Sequence, residues 1–312
     1  MNMTILYTLE KLRTPFLNYL LLGITHAGSE AAAALIVFVL YWCVSKKAGL
    51  FVLANCLIGS GCNQIVKLLC HVPRPFVKYG DFSLVEQARG TTGGFSFPSG
   101  HTQNVTSLYG SIAVSFRKKW VRICCAVMIA LVAFSRLYLG AHYPTDVLGG
   151  FGVGLVILLV LTPVYQKAEE HPSLFSVLLG TAGVLMIAAL LMFEYGPWKA
   201  ILEGQAEPEV LADMLKGIGI CAGCALAAAV SEPIERTYVR FDTHAVWWAQ
   251  ILKTALGMAL IAALALVLKY PAEAILGKNS LAYVPRFFVP VVFGMCVWPM
   301  TFRWFAGIQS GK

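Results

Sequence analysis

Apolar positions along this chain come in long blocks, not in the alternating ten-residue stretches of a membrane barrel. Nine blocks stand out, at residues 30–45, 49–70, 99–116, 123–139, 146–165, 174–193, 211–230, 247–268 and 287–308. Most are roughly 17 to 25 residues long, the length a helix needs to cross a hydrocarbon core. They stop at charge or at turn composition, as at Lys46 and Lys47 after the first, or Arg117, Lys118, Lys119 and Arg122 after the third. Residues 1–29 carry Lys11 and Arg13 ahead of an apolar patch that Asn18, Thr25, His26 and Ser29 interrupt. That patch reads as an amphipathic or partly inserted interfacial segment and not as a cleaved signal. The interval 71–98, with Pro73, Pro75, Gly80, Asp81, Gly90, Gly93 and Gly94, reads as an ordered loop outside the apolar slab. The pattern predicts an all-α, polytopic membrane bundle of about nine transmembrane helices.

Composition agrees. Of 312 residues, 58% are hydrophobic and only 13% charged, with a mean hydropathy of +0.72, which excludes an ordinary soluble domain. The net charge of +8 does not point to nucleic acid, because the bases sit in short connections where they bias topology. Lys46, Lys47, Arg117, Lys118, Lys119, Arg122, Lys167, Arg236, Arg240, Arg303 and Lys312 all fall on one side of an alternating helix count. The positive-inside rule then places the other side outside the cytoplasm. Nine cysteines, an odd number lying mostly within apolar blocks, read as small packing residues and not as a disulfide framework. Cys221 and Cys224 form a CxxC inside a Gly/Ala-rich block, where packing is the better reading.

Candidate chemistry gathers on the side away from those bases. Lys67 stands near the end of the second block, Arg74 follows seven residues later, Pro98-Ser99-Gly100-His101 opens the third, Arg136 stands near the end of the fourth, His142 follows it and Asp146 opens the fifth. Charged groups at membrane depth are costly unless they face one another or a polar cavity. Lys67, Arg74 and Arg136 together suit a phosphate-like anion, and the arginine forks suit paired oxygens. Any one of them alone is explained by reaching toward a headgroup. Ser99 can cap a helix whose free N–H groups, beside Gly100, cradle an oxyanion. His142 and Asp146 lie four positions apart, so the carboxylate can hold one imidazole nitrogen and leave the other as a nucleophile; Asp146 as an N-cap is the plainer use. A zinc site of His101, His142 and Asp146 is disfavoured by the three cations around it. His26, His71, His171 and His244 have no motif around them.

Lys67-x6-Arg74-Pro75, Pro98-Ser99-Gly100-His101 and Ser135-Arg136-x5-His142-x3-Asp146 resemble the three-part signature of the type 2 phosphatidic acid phosphatase superfamily. That superfamily includes membrane lipid phosphatases, sphingosine-phosphate phosphatases, glucose-6-phosphatases and vanadium haloperoxidases. The resemblance covers about the first half of the chain and every signature position matches. It implies a phosphatidic acid phosphatase type 2/haloperoxidase-like catalytic core over residues 30–166. Residues 167–312 would then form a four-span extension, a layout similar to that of the glucose-6-phosphatases and sphingosine-phosphate phosphatases.

The same resemblance implies that His142 attacks phosphorus and forms a phosphohistidine, that Asp146 orients it, and that His101 protonates the leaving alcohol. Lys67, Arg74, Ser99, Gly100 and Arg136 would hold the phosphoryl oxygens. No cofactor and no metal would be needed. The implied activity is hydrolysis of a phosphomonoester or pyrophosphate of a lipid or isoprenyl alcohol. A phosphotransferase, a sugar-phosphate phosphatase and a non-catalytic phospholipid-binding or transport protein stay open as alternatives. The expected setting is a bacterial inner or cell membrane with the site on its extracytoplasmic face. A homodimer is conceivable through the small residues Gly217, Gly219, Gly223 and Ala227.

Overall fold

A computed structural model describes residues 2–204 and 207–307. Among them there is no β-strand. Helices α1 (Asn2–Lys11) and α2 (Pro15–His26) lead into α3 (Glu30–Val39), which runs on as a π-helical turn to Val44. Next come α4 (Lys46–Cys70), the single turn α5 (Pro75–Lys78), α6 (Gly100–Ser115), α7 (Lys119–Tyr138) and α8 (Pro144–Lys167). The second half holds α9 (Leu174–Tyr195), α10 (Trp198–Glu203), α11 (Pro208–Ile234), α12 (Trp247–Val267), α13 (Lys269–Leu276), α14 (Tyr283–Val292) and α15 (Phe302–Gly307). Hydroxyl side chains start several of these: Thr14, Ser29, Ser45 and Ser99 each accept from the amide three residues on. Those bonds satisfy N–H groups that a helix start leaves unpaired.

Among the described residues, seven helical stretches are each long and apolar enough to cross a membrane, and α2 with α3, bent by 49° at a short break, makes up to an eighth. The expected nine is therefore approximate. Two of its members differ from expectation. The first apolar block does not qualify alone, and the α2 patch, expected to be interfacial, adds to it. The third block became α6, a helix of 16 residues rich in Ser, Thr, Gln and Asn. At 1.5 Å per residue it is about 24 Å long. It connects the site end of α4 to the start of α7 while buried among α4, α7 and α8. The end of the last block, Ile308, and Lys312 lie outside the described residues.

A polar helix in this setting must satisfy its own groups. Thr106 Oγ1 donates to Thr102 O at 2.7 Å, Ser111 Oγ to Ser107 O at 2.5 Å, and Gln103 Nε2 to Ser107 Oγ at 2.9 Å. Close approach of α8 depends on Gly150 and Gly154. A Cβ on Gly154 would stand 2.7 Å from Thr106 Cβ and 2.9 Å from Gln103 O, and one on Gly150 would strike Ser99 O. Small residues four apart are the usual means by which membrane helices touch backbone to backbone.

Helix α11 is the centre of the second half, packed on α9, α14 and α4. Its small residues are spent there. Cβ atoms on Gly219 and Gly223 would collide with Ser280 O and Val284 O, one on Gly217 would meet Gln64 Nε2 at 2.8 Å, and Ala227 is fully buried. The row in which sequence left room for a dimer surface is thus packed within the chain. Cys221 and Cys224 are free thiols in the same packed helix.

Candidate active site

The three signature pieces meet at one end of the first half. Helix α4 stops just beyond Lys67 because His71 takes a left-handed conformation (φ 50°). Lys67 is buried there, and its Nζ donates to Phe95 O at 2.5 Å. Arg74, also buried, precedes α5 and donates to three backbone oxygens. Its Nε donates to Gly94 O at 2.9 Å, Nη1 to Ala141 O at 2.9 Å, and Nη2 to Gly93 O. Gly94 has φ +66°, a conformation that favours glycine. The two cations thereby pin residues 93–95 across the mouth formed by α4 and the α7–α8 loop.

That loop carries His142. Arg74 Nη1 lies 3.1 Å from His142 Nε2. A guanidinium only donates, so Nε2 presents its lone pair and the proton resides on Nδ1. On the Nδ1 side stand Ser96 Oγ at 3.4 Å and Asp146 Oδ2 at 3.5 Å. Asp146 is not the N-cap of α8. It is the third residue of that helix in a capping box, with Oδ2 accepting from the Tyr143 amide at 2.8 Å and from Ser96 Oγ at 2.5 Å. Burial first, and then the charges of Arg74, Arg136, Lys67 and His101, hold the His142 imidazole well below the usual histidine range, so it is neutral.

Arg136 is fully buried near the end of α7. Its Nη1 donates to Thr25 Oγ1 at 2.9 Å and Thr91 Oγ1 at 3.0 Å, its Nη2 to Thr91 O at 3.0 Å, and its Nε has no partner among the described residues. Ser99 caps α6, accepting from the Thr102 amide at 3.5 Å and the Thr102 hydroxyl at 3.0 Å.

A cavity of about 340 Å³ opens over these groups. Of the eight expected site residues, Lys67, Arg74, Gly100, His101 and His142 line it; Ser99, Arg136 and Asp146 lie behind that first layer. For Ser99 the reason is that capping turns its hydroxyl into the helix. Sequence reading missed Ser96, which braces Asp146, and several lining residues, among them His26, set aside for want of a motif, Asn63, Glu30 and Asp213. Only Asn63, one helical turn before Lys67, carried any signal of its face. Among the described residues no three His, Cys, Asp or Glu side chains gather in a way that would hold a metal ion. A larger cavity, about 800 Å³, lies among α9, α11 and α13 but is lined by no histidine.

A family model described as PAP2 superfamily matches residues 48–170, the stretch that holds every one of the eight site residues. A second, PAP2 superfamily phosphatase, transmembrane extension, matches residues 216–310. Phosphatidylglycerophosphatase B of Bacillus subtilis (strain 168) is 35% identical over 179 residues, 51% of this chain and 80% of the relative. The chain belongs to the PAP2 superfamily. Other PAP2-type relatives match over less of their length. An undecaprenyl-diphosphatase of the same organism is 34% identical over 36% of this chain and 55% of its own, and human glucose-6-phosphatase 3 is 28% identical over 55% and 54%. A crystal structure of a transmembrane PAP2-type phosphatidylglycerolphosphate phosphatase from Bacillus subtilis shares 30% identity and covers 53% of this chain and 84% of that one, with a TM-score of 0.44. The protein is an integral membrane PAP2 phosphatase, a phosphoric monoester hydrolase by class.

Proposed function

We propose that this phosphatase hydrolyses a phosphomonoester or pyrophosphate of a lipid alcohol at the membrane through a phosphohistidine on His142. The observation that carries this reading is the two-sided setting of one imidazole, with Nε2 facing Arg74 at 3.1 Å and Nδ1 facing Ser96 and Asp146. A phosphoryl group entering the cavity takes over the Arg74 donor, and Nε2 attacks phosphorus as the P–O bond to the alcohol breaks. His101, on the cavity wall, gives its proton to the departing oxygen. It then takes a proton from the water that attacks the phosphohistidine, which frees Nε2 and releases phosphate. The positive charge that forms on His142 during attack is balanced by Asp146.

Lys67 and Arg74, with the N–H groups at the start of α6, stabilise the charge spread over the equatorial oxygens. Arg136 adds charge from behind that layer, and Ser99 sets the direction of the α6 start without touching substrate. Three fixed cations do electrostatically what a divalent metal does elsewhere, and they would repel one. The catalytic core in this reading comprises residues 30–166, with residues 167–312 as an added unit. The excess of bases at the end of the bundle opposite the cavity supports an extracytoplasmic site.

The test is phosphate release by the purified protein from a panel of lipid phosphates, with trapping of the acid-labile phosphohistidine. Wild type is expected to turn over at least one substrate and to label. A His142→Ala protein as fast as wild type would show that another residue is the nucleophile.

A further inference from the structure

One buried donor on the cavity wall has no task in the steps above. Asn63 is only 2% exposed, it lines the cavity, and its Nδ2 has no partner among the described residues. Comparable side chains are all engaged. The other two buried asparagines among the described residues spend Nδ2 on backbone carbonyls, Asn55 on Phe51 O and Asn104 on Gly28 O and Ser29 O. On the same wall Lys67 donates to Phe95 O, and Arg74 to Gly94 O, Ala141 O and Gly93 O. A buried amide donor without an acceptor costs free energy that a ligand's oxygen recovers.

The position of Asn63 decides which oxygen that is. It stands one helical turn before Lys67 on α4, so the two side chains share a face. Toward α6 it abuts the opening residue, since a Cβ on Gly100 would stand 3.6 Å from Asn63 Oδ1. The carboxamide thus adjoins both the Lys67 ammonium and the N–H groups that the first turn of α6 leaves unpaired. A half-turn about its last torsion exchanges Nδ2 and Oδ1 within the same space, which brings the donor to the cavity. A corner made of an ammonium, helix-start amides and a carboxamide N–H offers donors alone. Such a corner suits a proton-free, negatively charged oxygen better than it suits water or an alcohol, which must also donate.

From this placement we infer that Asn63 is a catalytic residue outside the three signature pieces. Its Nδ2 donates to an equatorial oxygen of the phosphoryl group while that group passes from the alcohol to His142 and from His142 to water. The inference rests on the phosphatase reading above; it adds a ligand for the transferring group and no new step. A bond that the resting protein lacks, made to the group in transfer, is of the kind that raises kcat.

The experiment uses two variants of the full-length protein in one detergent. Asn63→Asp keeps the size and loses the donor, and Asn63→Leu keeps the branched shape and loses both polar atoms. Three quantities are read: kcat/KM on a lipid phosphate that wild type accepts, affinity for orthovanadate by titration calorimetry, and the midpoint of thermal unfolding. Orthovanadate takes up the five-coordinate geometry of a phosphoryl group in transfer, so it reports the contact without turnover. Both variants are expected to lose about 100-fold in kcat/KM, the scale of removing one preorganised donor, and to lose vanadate affinity by a similar factor. The unfolding midpoint is expected to hold or rise in Asn63→Leu, because no bond within the protein is lost. Should Asn63→Leu fail to fold, the Asn63→Asp isostere decides. Variants within about threefold of wild type in kcat/KM would overturn the inference. So would a rate loss with vanadate affinity unchanged, or rate and affinity losses that track a lowered unfolding midpoint in both variants, since Asn63 would then act through the fold and not by contact. If wild type releases phosphate from no lipid phosphate, the phosphatase reading itself fails, and the vanadate titrations still decide the contact.

Discussion

The hydroxyl of Ser96 donates to the carboxylate of Asp146 across 2.5 Å, and both are buried. That bond, with the Tyr143 amide, fixes which lone pairs of Asp146 remain for the Nδ1 side of His142. Ser96→Ala is therefore expected to lower kcat about tenfold with little change in KM, since Ser96 is buried away from the cavity lining. Steady-state kinetics on any accepted lipid phosphate checks this; a change confined to KM would contradict it.

Arg74 binds three backbone carbonyls and faces His142, so a lysine cannot replace it. Arg74→Lys is expected to reduce kcat/KM by about 100-fold or more, on the scale of removing one preorganised donor to a developing anion. Residues 93–95 should loosen as well, and faster amide exchange there in the variant is the accompanying readout.

His142 is held neutral by burial and by the surrounding cations, in the loop between α7 and α8. Its folded pKa lies below the unfolded value of about 6.5. As pH falls through that value the unfolded chain takes up a proton that the folded chain refuses, so this group makes folding less favourable below about pH 6.5 and has no such effect above it. In a histidine-labelled sample, the ring resonance that disappears in His142→Ala should not titrate between about pH 8 and 6. A midpoint near the ordinary value would refute this.

Gly154 and Gly152 lie two residues apart on α8 and should behave oppositely. Gly154→Val drives atoms into Thr106 and the Gln103 carbonyl and is expected to cost about 1 to 3 kcal/mol. Gly152→Ala meets nothing within 4 Å and should be neutral or slightly stabilising. Thermal unfolding of the two variants in one detergent gives the comparison.

Much of this was legible in residue order. Long apolar blocks announce membrane helices because lipid leaves a crossing backbone no other partner than itself. Lys67, Arg74, His101, Arg136, His142 and Asp146 stand out because ionisable side chains are rare within such blocks and these lie in them or beside their ends on one side. Helix α6 was the hard case: its polar side chains are tolerated only because α4, α7 and α8 enclose them, a fact that no window of the sequence contains. The division of labour among the signature residues was equally hidden. Ser99 could be read as a cap from its place before α6, but that its hydroxyl is taken up by Thr102 and does not line the cavity depends on a backbone turn. Ser96, His26 and Asp213 belong to no motif and reach the site only through folding.

By itself, then, the sequence determined that this is an all-helical membrane protein and which polar side chains had to be gathered, since both follow from local hydrophobicity and from the cost of charge in lipid. Which nitrogen of His142 faces the cavity, which cation touches it, and how Asn63, Glu30 and Asp213 shape its wall were decided only in three dimensions. Those properties are set by contacts between residues as far apart as Arg74 and His142, or Gly93 and Asp213, and a hydrogen bond depends on angles and distances that sequence separation does not specify.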